Sequence, residues 1–515
     1  MNHYNIIIIG AGPAGLALAQ CLRNTYKKIL IIEKEAEIGG CHRVIRVPIS
    51  ISSSNSSSII ERIFTEHSPR IYSSTYKTFD MLLKDMSSSF DSLFIQYNFS
   101  ITAIGGKTIL STLTFQELLK IGLQFFFLIF DNNHGTTKTI GQFIKDNNFS
   151  DASIDIINRI TRLTDGAGDD RYTLNKFLEI FNQQFFYKLY QPRLPNDQGL
   201  FKLWEEFLTG NGITIMKNTS VDHINLDPIS GLVKSVIVTK ADNSHFEEIY
   251  GDKIVLAMPP QSFLSILRNS TPIIQNTFMN LNELQKYSTN TAYMTYISLT
   301  FHWNILLNLP SVYGFPKSAW GLAFIVLTDY MTFTESISKT VISCTITFTD
   351  VPNMSSNGKT ANHYTDSIHD KELLLMEAFL QLQESFPNLP IPTISLLSPE
   401  MSYVIDSSGV GKWETSGNSF ITSSREGFLP FTGTIPNLFN VGTQNGKQIY
   451  KFTSLESTVT NAVYLSHILY PKLRHVYKIG NIYTLVDLFL IMLIIITVII
   501  LFIIYKLVDN NKNVK

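Results

Sequence analysis

The stretch from Tyr4 to Glu33 admits few folds. It runs Tyr4-Asn-Ile-Ile-Ile-Ile-Gly10-Ala-Gly12-Pro13-Ala14-Gly15, continues through small and apolar residues to Leu22, and reaches Ile29-Leu-Ile-Ile-Glu33. A β-branched run breaks at a glycine loop, a helix-like segment follows, and a second apolar run ends on an acid. Strand, turn, helix, strand is the opening unit of a dinucleotide-binding domain. Each position has a physical task. Gly10 permits the tight turn out of the strand. Gly12 carries no side chain, so the backbone can approach a pyrophosphate. Gly15 lets the helix pack closely on the strand. The pyrophosphate is expected at the helix N-terminus, where free N–H groups favour negative charge. Glu33 comes about 20 residues on, where a carboxylate accepts hydrogen bonds from a ribose.

A second glycine pair, Gly39-Gly40, follows Glu33 closely, with Arg43 just beyond. A plain nicotinamide-binding unit has no need of it. The order Gly-x-Gly-x-x-Gly, Glu, Gly-Gly, Arg resembles the flavin amine oxidase superfamily, which includes monoamine and polyamine oxidases, protoporphyrinogen oxidases and phytoene desaturases. The resemblance returns late in the chain. Asn437-Leu-Phe-Asn-Val441-Gly442-Thr443 looks like the family's strand ending in glycine. Ser454-Leu455-Glu456-Ser-Thr-Val459 looks like its closing helix start, with Ser457 and Thr458 in place of the usual Gly-Ala.

The resemblance implies an α/β fold: a Rossmann-like FAD-binding domain with an inserted mixed α+β substrate domain. The FAD-binding domain is expected from residues 1–75, 201–265 and 411–470, and the substrate domain from a helical part at 76–200 and a sheet part at 266–410. It also implies the FAD-binding residues: Gly10, Gly12, Pro13, Ala14, Gly15, Glu33, Lys34, Gly40, Cys41, Arg43, Pro69, Arg70, Val221, Gly442, Leu455 and Glu456. In Phe64-Thr-Glu66-His67-Ser68-Pro69-Arg70, serine replaces a usual glycine, and His67 and Arg70 are expected near the flavin ring. Val221 is expected against the adenine. No cysteine follows Cys344, so the flavin should be held non-covalently. Some amine oxidases carry a lysine near the flavin, but the matching stretch Thr291–Tyr296 has none, and Lys286 lies early. No catalytic acid or base is assigned.

The implied activity is FAD-dependent oxidation, with hydride passing from an amine or from an unsaturated, lipid-like small molecule to the flavin. Alternatives are a membrane-associated desaturase or protoporphyrinogen-type oxidase, and a flavoprotein scaffold without activity. The 515 residues suffice for two or three domains. A net charge of −1 with no basic block gives no sign of a nucleic-acid partner. Three cysteines, Cys21, Cys41 and Cys344, have neither metal-ligand nor redox spacing and fit a reducing compartment.

Ile482 to Tyr505 is apolar all round apart from Asp487. About 20 such residues suffice to cross a bilayer. Lys472, Arg474, His475 and Lys478 precede it and a short tail follows, so the pattern predicts a single-pass C-terminal transmembrane anchor with the globular part in the cytosol. Ser50 to Ser58 is serine-dense and is expected to be a surface loop. Residues 75–210 read as mostly helical. Within them Leu118 to Phe130 is too short to span a membrane and is expected to be a core helix, the sharper alternative being a membrane-dipping patch. Three β-patterned runs fall between 290 and 350.

Overall fold

The computed structural model describes residues 3–52, 58–68, 70–97, 100–102, 109–241, 243–310, 312–314, 318–352, 358–415 and 426–512. The chain opens with strand β1 (Ile6–Ile9), helix α1 (Pro13–Leu22) and strand β2 (Ile29–Ile32), followed by the long strands β3 (Val44–Ser52) and β4 (Ser58–Glu66). Helix α2 (Lys77–Asp85), strand β5 (Ser100–Thr102) and helices α3 (Phe115–Phe130), α4 (Asp151–Asp165), α5 (Leu174–Gln184) and α6 (Leu200–Gly210) come next. Strands β6 (Thr214–Met216), β7 (Thr219–Leu226) and β8 (Ile254–Leu256) lead to β9 (Ile297–Trp303), β10 (Val312–Gly314), β11 (Leu322–Val326) and β12 (Thr340–Ile346). Helix α7 (Ile368–Gln383), strands β13 (Ile394–Leu397) and β14 (Leu438–Asn440), and helices α8 (Leu455–Leu469) and α9 (Leu485–Lys512) complete the framework.

A five-stranded parallel sheet runs in the order β6-β2-β1-β8-β14. Its strands are apolar throughout because both faces are covered. Ile6, Ile8, Ile29 and Ile31 pack with α1, α6 and α8 on one side. Ile7, Ile9, Leu30 and Ile32 pack on the other against the helix Pro260–Asn269 and the antiparallel layer that contains β7. The second large sheet has six strands in the order β13-β9-β12-β11-β10-β5 and a core of its own, in which Phe301, Trp303, Trp320 and Trp413 are buried. The three β-patterned runs expected between 290 and 350 are β9, β11 and β12.

Three expectations are corrected. The ladder of β3 and β4 extends to Ser52 opposite Ser58, so Ser50, Ile51 and Ser52 are strand, not loop. Ile51 faces Ile59, and such β-branched residues carry the pairing through the serines; residues 53–57 lie outside the described residues. Within the stretch 75–210, expected to be mostly helical, the helix from Leu174 stops at Gln184, and Leu189–Pro192 pairs as a strand with Tyr72–Ser73 and Phe94–Gln96. Helix α3 is no core helix: of its 16 residues only Glu117 and Leu128 are buried.

Helix α9 begins at Leu485 rather than Ile482. Leu485–Leu507 is long and apolar enough to cross a membrane, and none of its best window is buried. Asp487, the one charge in the apolar run, caps this helix. Its Oδ2 accepts hydrogen bonds from the Thr484 N–H and the Thr484 hydroxyl, both at 2.8 Å.

Candidate active site

The two glycine loops meet back to back. Gly10 has φ +107°, and a Cβ there would lie 2.7 Å from the Ala257 carbonyl oxygen. On Gly15 a Cβ would lie 2.0 Å from the Gly10 carbonyl oxygen, so the helix cannot seat on the turn with any other residue. Gly12 differs. A Cβ there would meet only the Gly40 Cα, at 3.7 Å. Protein atoms do not fill the space beside Gly12; it opens into a cavity. Gly12 is also the N-cap of α1, with no side-chain cap. The first N–H groups of that helix therefore remain available to an anion.

The cavity is about 550 Å³ and runs across the C-terminal ends of the parallel strands. One end is walled by Glu33, Lys34, Ser220, Val221 and Ile266, the middle by Gly10, Gly12, Pro13, Ala14 and Gly40, and the other end by Cys41, Arg43, His67, Arg70 and Tyr293. Gly442, Gln444, Thr453, Ser454 and Thr458 close it from the late strand and helix. Glu33 is buried, and its carboxylate accepts hydrogen bonds from the Ala11 N–H at 2.7 Å and the Glu35 N–H at 3.1 Å. Lys34 reaches back to Glu35 at 3.3 Å.

Of the residues assigned from the sequence, twelve line this cavity and three described ones do not. Gly15 serves packing. Pro69 lies outside the described residues. Leu455 is core. Glu456 faces away from the cavity wall and caps α2, accepting hydrogen bonds from the Thr78 N–H at 2.8 Å and the Phe79 N–H at 2.9 Å. Burial raises its carboxyl to about 7, although these N–H groups work against the rise. Ser457 and Thr458, which stand where the family has Gly-Ala, build the start of α8. The Ser457 hydroxyl accepts from the Ser454 N–H at 2.9 Å, and the Thr458 hydroxyl donates to the Ser454 carbonyl at 2.9 Å. The Ser454 hydroxyl caps the helix through the Ser457 N–H at 3.1 Å.

The far end holds a buried charge cluster. Arg43 pairs with Glu400, and His67 Nδ1 lies 3.3 Å from Glu400 Oε2 and 3.2 Å from the Thr415 hydroxyl. Arg70 donates to the Cys41 carbonyl. Burial works to raise the Glu400 carboxyl, but the hydrogen bond from His67 and the charge of Arg43 outweigh it and hold it below the usual range. Burial lowers His67 despite Glu400. Burial likewise lowers His42, helped by Arg70. Glu66, next in the chain, is raised to about 7 by burial. At neutral pH this end therefore presents neutral imidazoles beside two guanidinium groups. Glu400 carries no signal in the sequence: it is a lone acid in Ser398-Pro-Glu400, brought to Arg43 from 357 residues away. Tyr293 and Gln444 were equally silent.

Residues 8–78 match the model of the NAD(P)-binding Rossmann-like domain. None of the curated proteins matches the chain. Solved structures do. An oxidoreductase from Methanosarcina mazei aligns over 89% of this chain and 99% of its own, with 13% identity and a TM-score of 0.57. Putrescine oxidase bound to putrescine aligns over 91% of this chain and 99% of its own, with 12% identity and a TM-score of 0.56. The chain has the fold of these oxidases. Cyclohexylamine oxidase from Brevibacterium oxydans IH-35A aligns as well, over 90% of this chain and 99% of its own, with 12% identity and a TM-score of 0.51.

Proposed function

We propose that the chain is an FAD-dependent oxidoreductase of the amine-oxidase-like class, tethered to a membrane by α9 and acting on a small molecule. One observation carries this reading: the early glycine turn, the second glycine pair and the start of α8 converge on a single elongated cavity. The fit is supported by Gly12, where a side chain would intrude on space that no protein atom claims. Gly12, Gly40 and the N-terminus of α1 would hold the pyrophosphate, Glu33 the ribose, and Val221 the adenine. The dinucleotide end being there, the reacting end lies by Arg43, His67, Arg70 and Tyr293. FAD, when bound, supplies the hydride acceptor. Arg70 puts a half-buried positive charge at that end, suited to negative charge that builds up on a bound group. The neighbouring walls exclude water and orient the substrate.

Among the described residues, the wall at the reacting end receives Tyr293 and no lysine from the 291–296 stretch, and Lys286 is exposed. That favours a second reading in which the substrate is an unsaturated or lipid-like molecule rather than an amine. Anaerobic titration of the purified yellow protein with a panel of amines, thiols and unsaturated lipids tests both readings. Bleaching by amines supports the first and bleaching by lipids alone the second. Protein that retains no FAD overturns both.

A further inference from the structure

Helix α3 turns an apolar stripe to solvent. Phe115, Leu119, Leu123, Phe126, Phe127 and Phe130 are 42–75% exposed and recur at helical spacing, with Gly122 between them. The helix is not loosely held. Glu117 ties it down: its carboxylate accepts from the Thr114 N–H at 2.7 Å, the Ser150 N–H at 2.6 Å and the Ser153 hydroxyl at 2.8 Å. The inward side packs through Leu128 on the core of α4 and α5. A helix fixed in this way, with an exposed face that is apolar but for Gln116, presents a patch of the kind that marks a binding surface.

The position of α9 says what covers it. Val486 is buried in the same α3–α5 core, and its N–H donates to Asn182 of α5 at 2.9 Å. Phe489 of α9 meets Phe125 of α3 with ring centroids 6.3 Å apart. The 23-residue span Leu485–Leu507 is about 34 Å long at 1.5 Å per residue, against a hydrocarbon layer of about 30 Å. The layer must therefore begin within a few residues of Leu485, at about the level of Phe489. Phe125 shares that level, and the outer stripe is on the same helix. Phe185 and Phe186 are exposed at the end of α5, beside Tyr187, whose hydroxyl accepts a hydrogen bond at 2.6 Å from the Tyr483 N–H just before α9. Lys472, Arg474 and Lys478 are exposed in the segment that leads into α9, where lipid headgroups would meet them.

We propose that the outer stripe of α3, together with Phe185 and Phe186, lies in the interfacial layer of the bilayer that α9 crosses, so that the globular part rests on the membrane in one orientation rather than swinging from a tether. This rests on the tether reading. The helix would sit about 5–10 Å into the headgroup boundary with its apolar face down.

The test uses the full chain reconstituted into vesicles of phosphatidylcholine brominated along its acyl chains, with one tryptophan added at a time. The native residues Trp204, Trp303, Trp320 and Trp413 are fully buried and supply a constant background. Ile496→Trp reports the anchor and Leu123→Trp the stripe. Both added emissions are expected to be largely quenched relative to vesicles of unbrominated lipid. Quenching at Ile496→Trp with full emission at Leu123→Trp overturns the inference and leaves the tether standing. Full emission at both overturns the tether itself. Efficient cross-linking of Leu123→Cys to a second copy in the same vesicles also overturns it, since another protomer then covers the stripe.

Discussion

Three glycines of one loop do different work, and substitutions should separate them. Gly15→Ala forces a Cβ against the Gly10 carbonyl and is expected to lower the melting temperature by several degrees, or to prevent folding. Gly12→Val places its Cβ at ordinary contact distance from protein. It should fold with a near-normal melting temperature without flavin and yet retain little or no FAD, as read by absorbance after gel filtration. Charge is the second residue-scale matter. Glu400 is the buried counter-charge of Arg43, so Glu400→Gln leaves that cation only the more distant Glu35, at 3.8 Å, and should cost about 3 kcal/mol of stability in denaturant unfolding. Glu66 and Glu456 behave in the opposite sense. Their folded values of about 7 lie above the ordinary 4.5, so the folded chain holds protons that the unfolded chain has released. Their contribution is fully present below pH 4.5 and is lost as pH rises through 7. Flavin-free protein is therefore expected to lose stability over that window, and Glu66→Gln to flatten the slope in a pH series of melting curves.

At the scale of elements, helix starts set the geometry. Helix α8 is closed by Ser454 and Ser457 acting on each other, which turns its first turn towards the cavity. Ser454→Ala removes the cap and should cost about 1 kcal/mol, measurable as a shifted denaturant midpoint with an unchanged slope. Helix α3 depends on Glu117 in the same way. Burial would raise this carboxyl, but the Ser150 and Thr114 N–H groups bring it down to about 2. Its contribution is present above pH 4.5 and disappears as pH falls towards 2. Both caps follow a Ser/Thr-x-x-partner spacing, as does Thr484 with Asp487, and so were open to reading in the sequence. The exposure of α3 was not. An apolar run of that length reads as core unless its neighbours are known, and here its outer stripe is left exposed.

At the scale of the molecule, the parallel sheet takes β1 and β2, β6, β8 and β14 from four separate stretches of chain. The cavity exists only where those stretches meet, so damage to the late segment should be felt at the early one. On the tether reading, the full chain is expected to resist alkaline carbonate extraction from membranes, because α9 is long and apolar enough to cross the bilayer. Recovery in the carbonate supernatant would remove the tether.

The sequence alone determined the Rossmann-like unit, the place of its glycines and acid, and the apolar C-terminal run. Those features are written in contiguous residues, through local backbone demands and simple length. Only the tertiary structure decided that Arg43 answers to Glu400, that Glu456 caps a helix instead of lining the cavity, and that α3 faces outward. Those outcomes depend on pairs of residues far apart in the chain, and burial and charge act on distance in space.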